Sequence, residues 1–175
     1  DQIIHDYSVI IDVRTPSEFR DDHIPNSINY PVLSNKQRHE IGISYKENSF
    51  LAKKNGAELI SFNISKIIKK IKFDKKDKVL IYCWRGGLRS LSLYLVLKQI
   101  GYDVYLLDGG YKSFRKRVVE YLDKEAPIFK FNQIMGITGV GKTLFIKKLS
   151  KSNQVIDFEG LANHKSSILG DIPNK

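Results

Sequence analysis

The sequence predicts an α/β fold, a parallel sheet flanked by helices, followed by the start of a second α/β domain. Short apolar segments with strand character alternate with helical segments through the first 124 residues. Alternation of this kind is typical of parallel sheets that helices cover on both faces. The predicted strands are 8–13, 78–82 and 103–107, with 131–135 and 154–158 in the second domain.

The length and composition of the chain allow one complete domain and part of a second. With 175 residues, the chain can bury one ordinary core and part of a second. We expect residues 1–124 to form the first domain and, after a linker at 124–127, residues 125–175 to begin the second. The second segment is too short to close a doubly wound sheet, which predicts that this domain is incomplete.

The charge balance suggests a polyanionic partner. The chain has 29 Lys+Arg against 19 Asp+Glu, for a net charge of +10. Nucleic acid is the first candidate, although lysine runs are usually only solvated faces. No apolar run approaches the ~20 residues of a membrane-spanning helix, and the acidic start does not resemble a signal peptide. With a single cysteine, these features predict a cytoplasmic protein with no membrane partner.

The first helix has clear start signals after the strand at 8–13. Thr15 can cap it, Pro16 fits the first helical position, and Glu18 completes a capping box. His23 follows in a turn, where we expect it to anchor the loop and not to act in catalysis.

Residues 35–72 are predicted to be mostly helical. Isoleucines recur there at helical spacing, which predicts one buried face. Gly42 and Gly56 are expected to divide the region into two or three helices. The isoleucines of the stripe are Ile60, Ile64, Ile67, Ile68 and Ile71.

The only cysteine, Cys83, is predicted to lie in the turn between the strand at 78–82 and a following helix. Gly86 and Gly87 allow the backbone N–H groups of 84–88 to point inward around a thiolate or an oxyanion. The predicted anion-binding residues are Trp84, Arg85, Gly86, Gly87, Leu88 and Arg89. The helix is predicted to face the core with Leu88, Leu91, Leu95 and Val96.

A reactive thiol is the favoured interpretation of Cys83, over a small buried hydrophobic residue. The charges of Arg85 and Arg89, with the helix N-terminus, are expected to lower the thiol pKa. Cys83 and Arg89 have the C-x5-R spacing of cysteine phosphatases, and the same loop suits a rhodanese whose thiolate accepts sulfur or selenium. Because the chain has no second cysteine, an external acceptor must discharge such an adduct.

Residues 136–143 match the pattern G-x-x-x-x-G-K-T of a phosphate-binding loop. The glycines let backbone N–H groups surround a phosphate chain, Lys142 neutralises its outer charge, and the Thr143 hydroxyl can ligate Mg²⁺. Asp157 either holds a magnesium-bound water or merely caps the next segment. The loop residues are Gly136, Thr138, Gly139, Val140, Gly141, Lys142 and Thr143.

The first 124 residues carry landmarks that resemble, in order, those of rhodanese domains. They are Asp12-Val13-Arg14, Glu18-Phe19, His23-Ile24-Pro25, Ile28-Asn29, the Cys83 loop and Leu107-Asp108-Gly109-Gly110. Asp22 and Asn26 replace the usual glycines beside His-Ile-Pro, a change that concerns loop conformation more than chemistry. Tyr82 stands where cysteine phosphatases normally carry a histidine, which weighs against that alternative.

Nearly all of the chain resembles the bacterial tRNA 2-selenouridine synthase family. The resemblance rests on Cys-Trp-Arg-Gly-Gly-x-Arg-Ser at 83–90, the loop at 136–143 and Asp-Phe-Glu-Gly-Leu-Ala-Asn-His at 157–164. Where the family tends to have Asp-Leu-Glu and His-Arg-Gly-Ser, this chain has Asp-Phe-Glu at 157–159 and His-Lys-Ser-Ser at 164–167. This departure affects only the fine contacts of that segment.

The resemblance implies a transferase that replaces sulfur by selenium at the wobble 2-thiouridine of certain tRNAs. Geranyl diphosphate would first alkylate the thio group, and selenium from selenophosphate would then displace the S-geranyl group, with Cys83 as the catalytic residue. No tightly bound cofactor or resident metal is implied, although Mg²⁺ could accompany the phosphate loop. In a rhodanese-like fold, the basic helix predicted over 111–122 begins near the sheet edge of Cys83. The candidates for tRNA contact are Lys112, Arg115, Lys116 and Arg117.

Two alternatives stay open at this point. One is a small-anion sulfurtransferase or cysteine phosphatase. A stand-alone enzyme of this kind leaves the loop at 136–143 unexplained, so the alternative includes an accessory nucleotide-binding domain. The other is a nucleotide-dependent binding module in which Cys83 is vestigial. The ligand of the phosphate loop is correspondingly open between geranyl diphosphate, a nucleotide and the tRNA backbone.

Overall fold

The computed structural model describes residues 6–137 and 139–162. The chain divides into two compact units, Asp1–Ala126 and Pro127–Lys175. Among the described residues, no helix is both long enough and apolar enough to cross a bilayer.

A four-stranded parallel sheet forms the centre of the first unit, with strand order β2-β1-β3-β4. The predicted α/β architecture is therefore confirmed. Because the strands are parallel, the loops that follow β1 and β3 emerge at the same sheet edge. The strands are β1 (Val9–Asp12), β2 (Ile28–Asn29), β3 (Val79–Tyr82) and β4 (Val104–Leu106).

Helices pack on both faces of this sheet. Val79 and Ile81 of the buried strand β3 join one apolar cluster, which includes the predicted isoleucine stripe. Leu80 and Tyr82 point to the other face and pack with Tyr111. The helices of this unit are α1 (Pro16–Asp21), α2 (Asn35–Glu47), α3 (Ser49–Lys70), α4 (Leu88–Ile100) and α5 (Gly110–Glu125), with a 3-10 turn at Ala126–Ile128.

The predicted start of α1 is confirmed in detail. The Thr15 side chain accepts from the Glu18 N–H, and the Glu18 carboxylate accepts from the Thr15 N–H at 3.0 Å. His23 anchors its turn, as expected, since Nδ1 donates to the Phe19 carbonyl at 2.7 Å and the ring stacks on Phe19. Asn26 takes a positive φ of 63°, which asparagine tolerates in place of glycine.

The prediction that Gly42 and Gly56 divide the helical region was wrong. The break between α2 and α3 falls at Asn48, whose side chain accepts from the Leu51 N–H and caps α3. Gly56 lies inside α3, where a Cβ would sit 3.6 Å from Ile41 of α2. That distance is an ordinary van der Waals contact, so Gly56 is a buried residue at the contact between α2 and α3 and does not break the helix.

The core face predicted for α4 was also partly wrong. Leu88 and Leu95 are 67% and 50% exposed, whereas Leu93 and Leu97 are fully buried. The helix is rotated so that Ser90, in its first turn, is buried against the cysteine. Leucine spacing alone cannot show this rotation because leucines occur on several faces of α4.

The second unit contains α6 (Lys142–Leu149) and α7 (Phe158–Leu161) in its described part. The strands predicted at 131–135 and 154–158 do not form there. A strand needs a neighbour to pair its N–H and C=O groups, and no neighbouring strand is present among the described residues of this unit. The helix predicted over 111–122 runs on to Glu125, so the expected linker at 124–127 begins as helix.

Candidate functional site: a cysteine loop at the sheet edge

Cys83 follows β3 directly and is almost completely buried. Its Sγ accepts the Gly87 N–H at 3.2 Å and the Ser90 hydroxyl at 3.2 Å. Gly86 has φ +70°, a conformation that turns the chain back over the sulfur. The loop therefore presents polar hydrogens to the thiol, as the two glycines predict.

The turn at Gly109 and Gly110 packs against the back of this loop. The N–H of Tyr111 donates to the Cys83 carbonyl at 2.8 Å, and the N–H of Lys112 donates to the Trp84 carbonyl at 3.0 Å. At Gly110, with φ +60°, a Cβ would lie 2.3 Å from the Cys83 carbonyl oxygen. Only glycine fits a contact this close, so the start of α5 fixes the loop's backbone.

The surroundings lower the pKa of the Cys83 thiol. Burial raises the pKa, but the Ser90 hydroxyl, the N–H groups of Ser90 and Arg85, and the charge of Arg89 together lower it. Arg85 contributes through its backbone N–H, and Arg89 contributes through its charge. The lowered pKa favours the thiolate, which is the nucleophilic form.

Arg89 is held at the mouth of the loop by Glu18. Its guanidinium donates to the two carboxylate oxygens at 2.8 and 3.4 Å. Burial raises the pKa of Glu18, but the hydrogen bonds from Arg89 and Thr15 outweigh it and lower the pKa. The pair orients Arg89 while leaving further guanidinium N–H donors for a bound anion.

Arg14 supports the site from beneath. It pairs with Asp12 at 2.7 Å, both side chains being buried, and donates to the Asp22 carbonyl at 2.6 Å. Its guanidinium lies 4.1 Å from the centroid of the Tyr111 ring. Burial and the neighbouring Asp22 carboxylate, which accepts from the Tyr111 hydroxyl, raise the pKa of Tyr111 to about 12. Tyr111 is thus a neutral donor near pH 7.

Two shallow pockets open beside the loop, with volumes of about 460 and 420 Å³. Trp84 and Arg115 line both of them. The larger is lined by Arg14, Glu18, Asp21, Asp22, Arg38, Trp84, Arg89, Tyr111 and Arg115. The smaller is lined by Trp84, Lys112, Arg115, Lys116, Val119 and Glu120. Three of the predicted RNA-contacting residues therefore gather at Trp84, while Arg117 lines neither pocket.

The sequence-based prediction did not include Ser90, Glu18 and Arg14 among the residues of the site. A signal existed for Arg14, because it follows β1 and parallel strands direct such residues to the same edge as Cys83. Glu18 was recognised only as a helix cap. Its ion pair with Arg89 joins positions 71 residues apart, which no local pattern contains.

The phosphate-binding loop lies in the second unit, and some of its hydrogen bonds join residues of the loop itself. Gly139 and Gly141 take positive φ values of 85° and 91°. The Lys142 ammonium donates to the Gly136 and Ile137 carbonyls at 2.8 and 3.0 Å. The predicted loop residue Thr138 lies outside the described residues, and Val140 is exposed.

Oxygen ligands that would suit Mg²⁺ come from Thr143 at the start of α6 and Glu159 in α7. The Thr143 hydroxyl donates to the Glu159 carboxylate at 3.3 Å. Hydroxyl and carboxylate oxygens are the donors that Mg²⁺ prefers, so these residues fit the ion that phosphate loops use. Asp157 caps α7 by accepting from the Gly160 N–H at 3.0 Å, which is the second of its two predicted roles.

Family models match both parts of the chain. Residues 1–117 match the rhodanese-like domain, and residues 129–175 match the tRNA 2-selenouridine synthase AAA domain. Among solved structures, the N-terminal domain of a candidate ATP/GTP-binding protein from Clostridium difficile 630 is similar, with 36% identity and a TM-score of 0.57. That similarity covers 63% of this chain and 88% of the other.

Curated relatives are similar over almost the whole chain. The tRNA 2-selenouridine synthase of Sulfurovum sp. (strain NBC37-1) is 37% identical over 96% of this chain. The protein of the same name from Nitrosomonas europaea is 35% identical over 92%. This chain spans 46% and 43% of those two relatives, so it corresponds to less than half of their length.

These matches confirm the family resemblance that the sequence motifs predicted, including the order of the two domains. The rhodanese-like match covers the sheet, the Cys83 loop and the first half of α5. The AAA-domain match covers the phosphate-binding loop. The chain thus belongs to the rhodanese-like family in its first unit and continues with the AAA domain of the tRNA 2-selenouridine synthase family.

Proposed function

We propose that this chain is the thiol-bearing part of a tRNA 2-selenouridine synthase. The observation that carries the proposal is the Cys83 loop, in which hydrogen-bond donors hold a sulfur of lowered pKa. It is joined to a phosphate-binding loop in the order found in relatives with that name. The substrate would be a tRNA carrying 2-thiouridine at the wobble position.

The first step would be alkylation of the 2-thiouridine by geranyl diphosphate. The sulfur attacks the first carbon of the geranyl group, the carbon–oxygen bond breaks, and diphosphate leaves. Residues 136–143 suit this leaving group, because positive-φ glycines expose N–H groups and Lys142 supplies a positive charge. For that, Lys142 must exchange its contacts with the loop carbonyls for phosphate oxygens.

The second step would be displacement of the S-geranyl group by selenium. A selenide attacks the C2 carbon of the base, the carbon–sulfur bond breaks, and geranylthiolate leaves. Neither step changes the oxidation state of the substrates. Selenium must therefore reach the base as selenide, released from selenophosphate by cleavage of the phosphorus–selenium bond.

Cys83 would release that selenide. Its thiolate attacks phosphorus, a sulfur–phosphorus bond forms, the phosphorus–selenium bond breaks, and water later hydrolyses the phosphocysteine. A perselenide on Cys83 would instead need an oxidant, because sulfur and selenium are both fully reduced in these reactants. The inward N–H groups and Arg89 suit the charge that develops on the phosphoryl oxygens.

The test is replacement of Cys83 by serine in cells that depend on this gene for 2-selenouridine, followed by mass spectrometry of tRNA nucleosides. We expect loss of 2-selenouridine and accumulation of S-geranyl-2-thiouridine, because only the second step needs the thiolate. Serine is nearly isosteric and can accept the same two hydrogen bonds, so the protein should fold normally. Normal selenouridine levels in the Cys83→Ser strain would contradict the proposed role.

The adduct on Cys83 provides a second test. Wild-type protein treated with selenophosphate and quenched in acid should carry one phosphoryl group on the Cys83 peptide. A selenium atom on that peptide would overturn the attack on phosphorus while leaving the overall function in place.

A further inference from the structure

We propose that the exposed part of Trp84 is a stacking surface for an RNA base at the mouth of the Cys83 loop. Trp84 is the next residue after the cysteine and the only tryptophan of the chain. It is 36% exposed, although its neighbours Tyr82, Cys83 and Tyr111 are buried. This inference rests on the proposed function and names how its nucleic-acid substrate would be held.

The inner side of Trp84 is supported by buried groups. Its ring centroid lies 5.7 Å from that of Tyr111, and the Arg14 guanidinium lies 6.0 Å from the Trp84 ring. The Trp84 carbonyl accepts from the N–H of Lys112, which ties the residue to α5. A planar side chain supported in this way loses little conformational entropy when a base stacks on it.

Both pockets beside the loop use Trp84 as a wall. Arg89, at the mouth of the cysteine loop, lines the larger pocket together with Trp84, so a base stacked on Trp84 would lie at that mouth. A duplex keeps its bases stacked inside, and the base presented here would have to leave its stack or come from a single-stranded loop.

The charges around Trp84 favour a ligand with phosphates. Lys112, Arg115 and Lys116 line the smaller pocket, and within the described residues neither Lys112 nor Arg115 makes an ion pair. Lys116 pairs with Glu120 at 3.6 Å, but both side chains are largely exposed, so that pair is weak.

The acids of the larger pocket are mostly engaged within the protein. Glu18 holds Arg89, and Asp22 accepts from the Tyr111 hydroxyl. Asp21 is the remaining acid of that pocket, against the cations Arg38 and Arg115. An aromatic surface flanked by cations is the arrangement by which proteins bind single-stranded nucleic acid.

The test uses Trp84 as its own reporter. A short RNA stem-loop carrying a wobble uridine, added to the 175-residue chain, should quench the tryptophan fluorescence as it binds. Because Trp84 is the only tryptophan, the signal has one source. ATP at the same nucleotide concentration is the comparison, and equal quenching by ATP would assign the surface to free nucleotides instead of RNA.

Measuring the affinity of variants for fluorescein-labelled stem-loop RNA distinguishes a loss of base stacking from a loss of charge contacts. Trp84→Ala should weaken binding about 5- to 150-fold at unchanged salt dependence, which is the usual loss on removing a stacked aromatic. Trp84→Phe should retain most of the affinity, since phenylalanine also stacks. This second variant keeps the test decisive if alanine destabilises the loop, which circular dichroism would show.

Arg115 and Arg117 are both exposed arginines of α5, but they lie two positions apart and therefore on different faces of the helix. Arg115→Glu should weaken RNA binding and reduce the slope of log affinity against log salt by about 1, because Arg115 lines both pockets. Arg117→Glu makes the same change of charge away from both pockets and should have a smaller effect.

An RNA affinity that is unchanged in Trp84→Ala, or lost equally in Trp84→Phe, would overturn the stacking surface. Such a result would leave the proposed function intact if Cys83→Ser still abolished 2-selenouridine. If Trp84→Ala left the RNA affinity unchanged and Cys83→Ser left 2-selenouridine unchanged, both the stacking surface and the proposed function would be rejected.

Discussion

The cysteine loop and the phosphate-binding loop are two anion sites of the same general design, and they differ in what surrounds them. Each is a glycine-containing turn that opens a helix. The cysteine loop follows a strand whose four residues are all buried and is backed by α5. The phosphate-binding loop follows residues 129–135, which are exposed and form no strand.

The difference shows what fixes the geometry of such loops. In the cysteine loop, hydrogen bonds from α5 and α4 determine where each N–H points, and the sulfur accepts two of the available donors. In the phosphate-binding loop, the charge of Lys142 is satisfied by the loop's own carbonyls. A motif therefore specifies which groups are available, while packed neighbours specify their arrangement.

Removing the glycine behind the cysteine loop should have the largest effect. Gly110→Ala forces a Cβ to within 2.3 Å of the Cys83 carbonyl oxygen at a φ of +60°. We expect it to lower the free energy of unfolding by about 2–5 kcal/mol through overpacking and backbone strain. Urea unfolding followed by circular dichroism measures this change.

Gly101→Ala is the matched control for that variant. Gly101 ends α4 with φ +106°, but nothing lies within 4 Å of its added Cβ. The Gly101→Ala variant should lower the free energy of unfolding only through backbone strain, by about 1–2 kcal/mol. Equal losses at the two glycines would mean that close packing behind the cysteine loop contributes nothing.

In the phosphate-binding loop, we expect a substitution to change the affinity for the ligand and not the free energy of unfolding. Lys142→Ala removes a charge-assisted contact to phosphate oxygens worth ~1.5–3 kcal/mol, which corresponds to a loss of affinity for geranyl diphosphate of about 10- to 150-fold. Calorimetric titration measures it. Lys147→Ala, an exposed change in the same helix, is the control and should bind normally.

An outcome in which Lys142→Ala binds geranyl diphosphate as tightly as Lys147→Ala would contradict the assignment of that ligand. If ATP showed the Lys142 dependence instead, the loop would bind a nucleotide.

The smallest expected effect concerns the donors around the thiol. Ser90→Ala removes the hydroxyl that donates to Sγ, so the pKa of Cys83 should rise and the thiolate should form at higher pH. Alkylation by iodoacetamide at pH 7 should slow several-fold, and its pH–rate curve should move to higher pH. Ser92→Ala serves as control, because the Ser92 hydroxyl donates to the Leu88 carbonyl and not to sulfur.

Identical alkylation curves for the Ser90 and Ser92 variants would show that the Ser90 hydroxyl does not lower the thiol pKa, which would then depend on the loop's N–H groups and the charge of Arg89. In that case Ser90 would be a structural residue of α4.

The sequence predicted the parts of the molecule that are encoded locally. The capping box at Thr15, the strand before Cys83 and the isoleucine stripe are each formed by residues that lie close together in the sequence. The rotation of α4 was not predictable, because it depends on the contact between Ser90 and Cys83. The strands expected at 131–135 and 154–158 failed for a related reason, since pairing needs a partner that apolar composition does not supply.

The contacts that complete the cysteine loop have a consequence for the order of folding. Tyr111 reaches an acceptor 89 positions earlier, a longer closure than the pairing of β1 with β3, which joins Val9 to Val79. Such closures must overcome the entropy of a long intervening chain before they stabilise anything, so they tend to form late. A chain emerging from the ribosome can pair β1 with β3 before residue 111 has been made. We expect its thiol to become an organised nucleophile only when α5 docks, which delays reactivity until the fold is nearly complete.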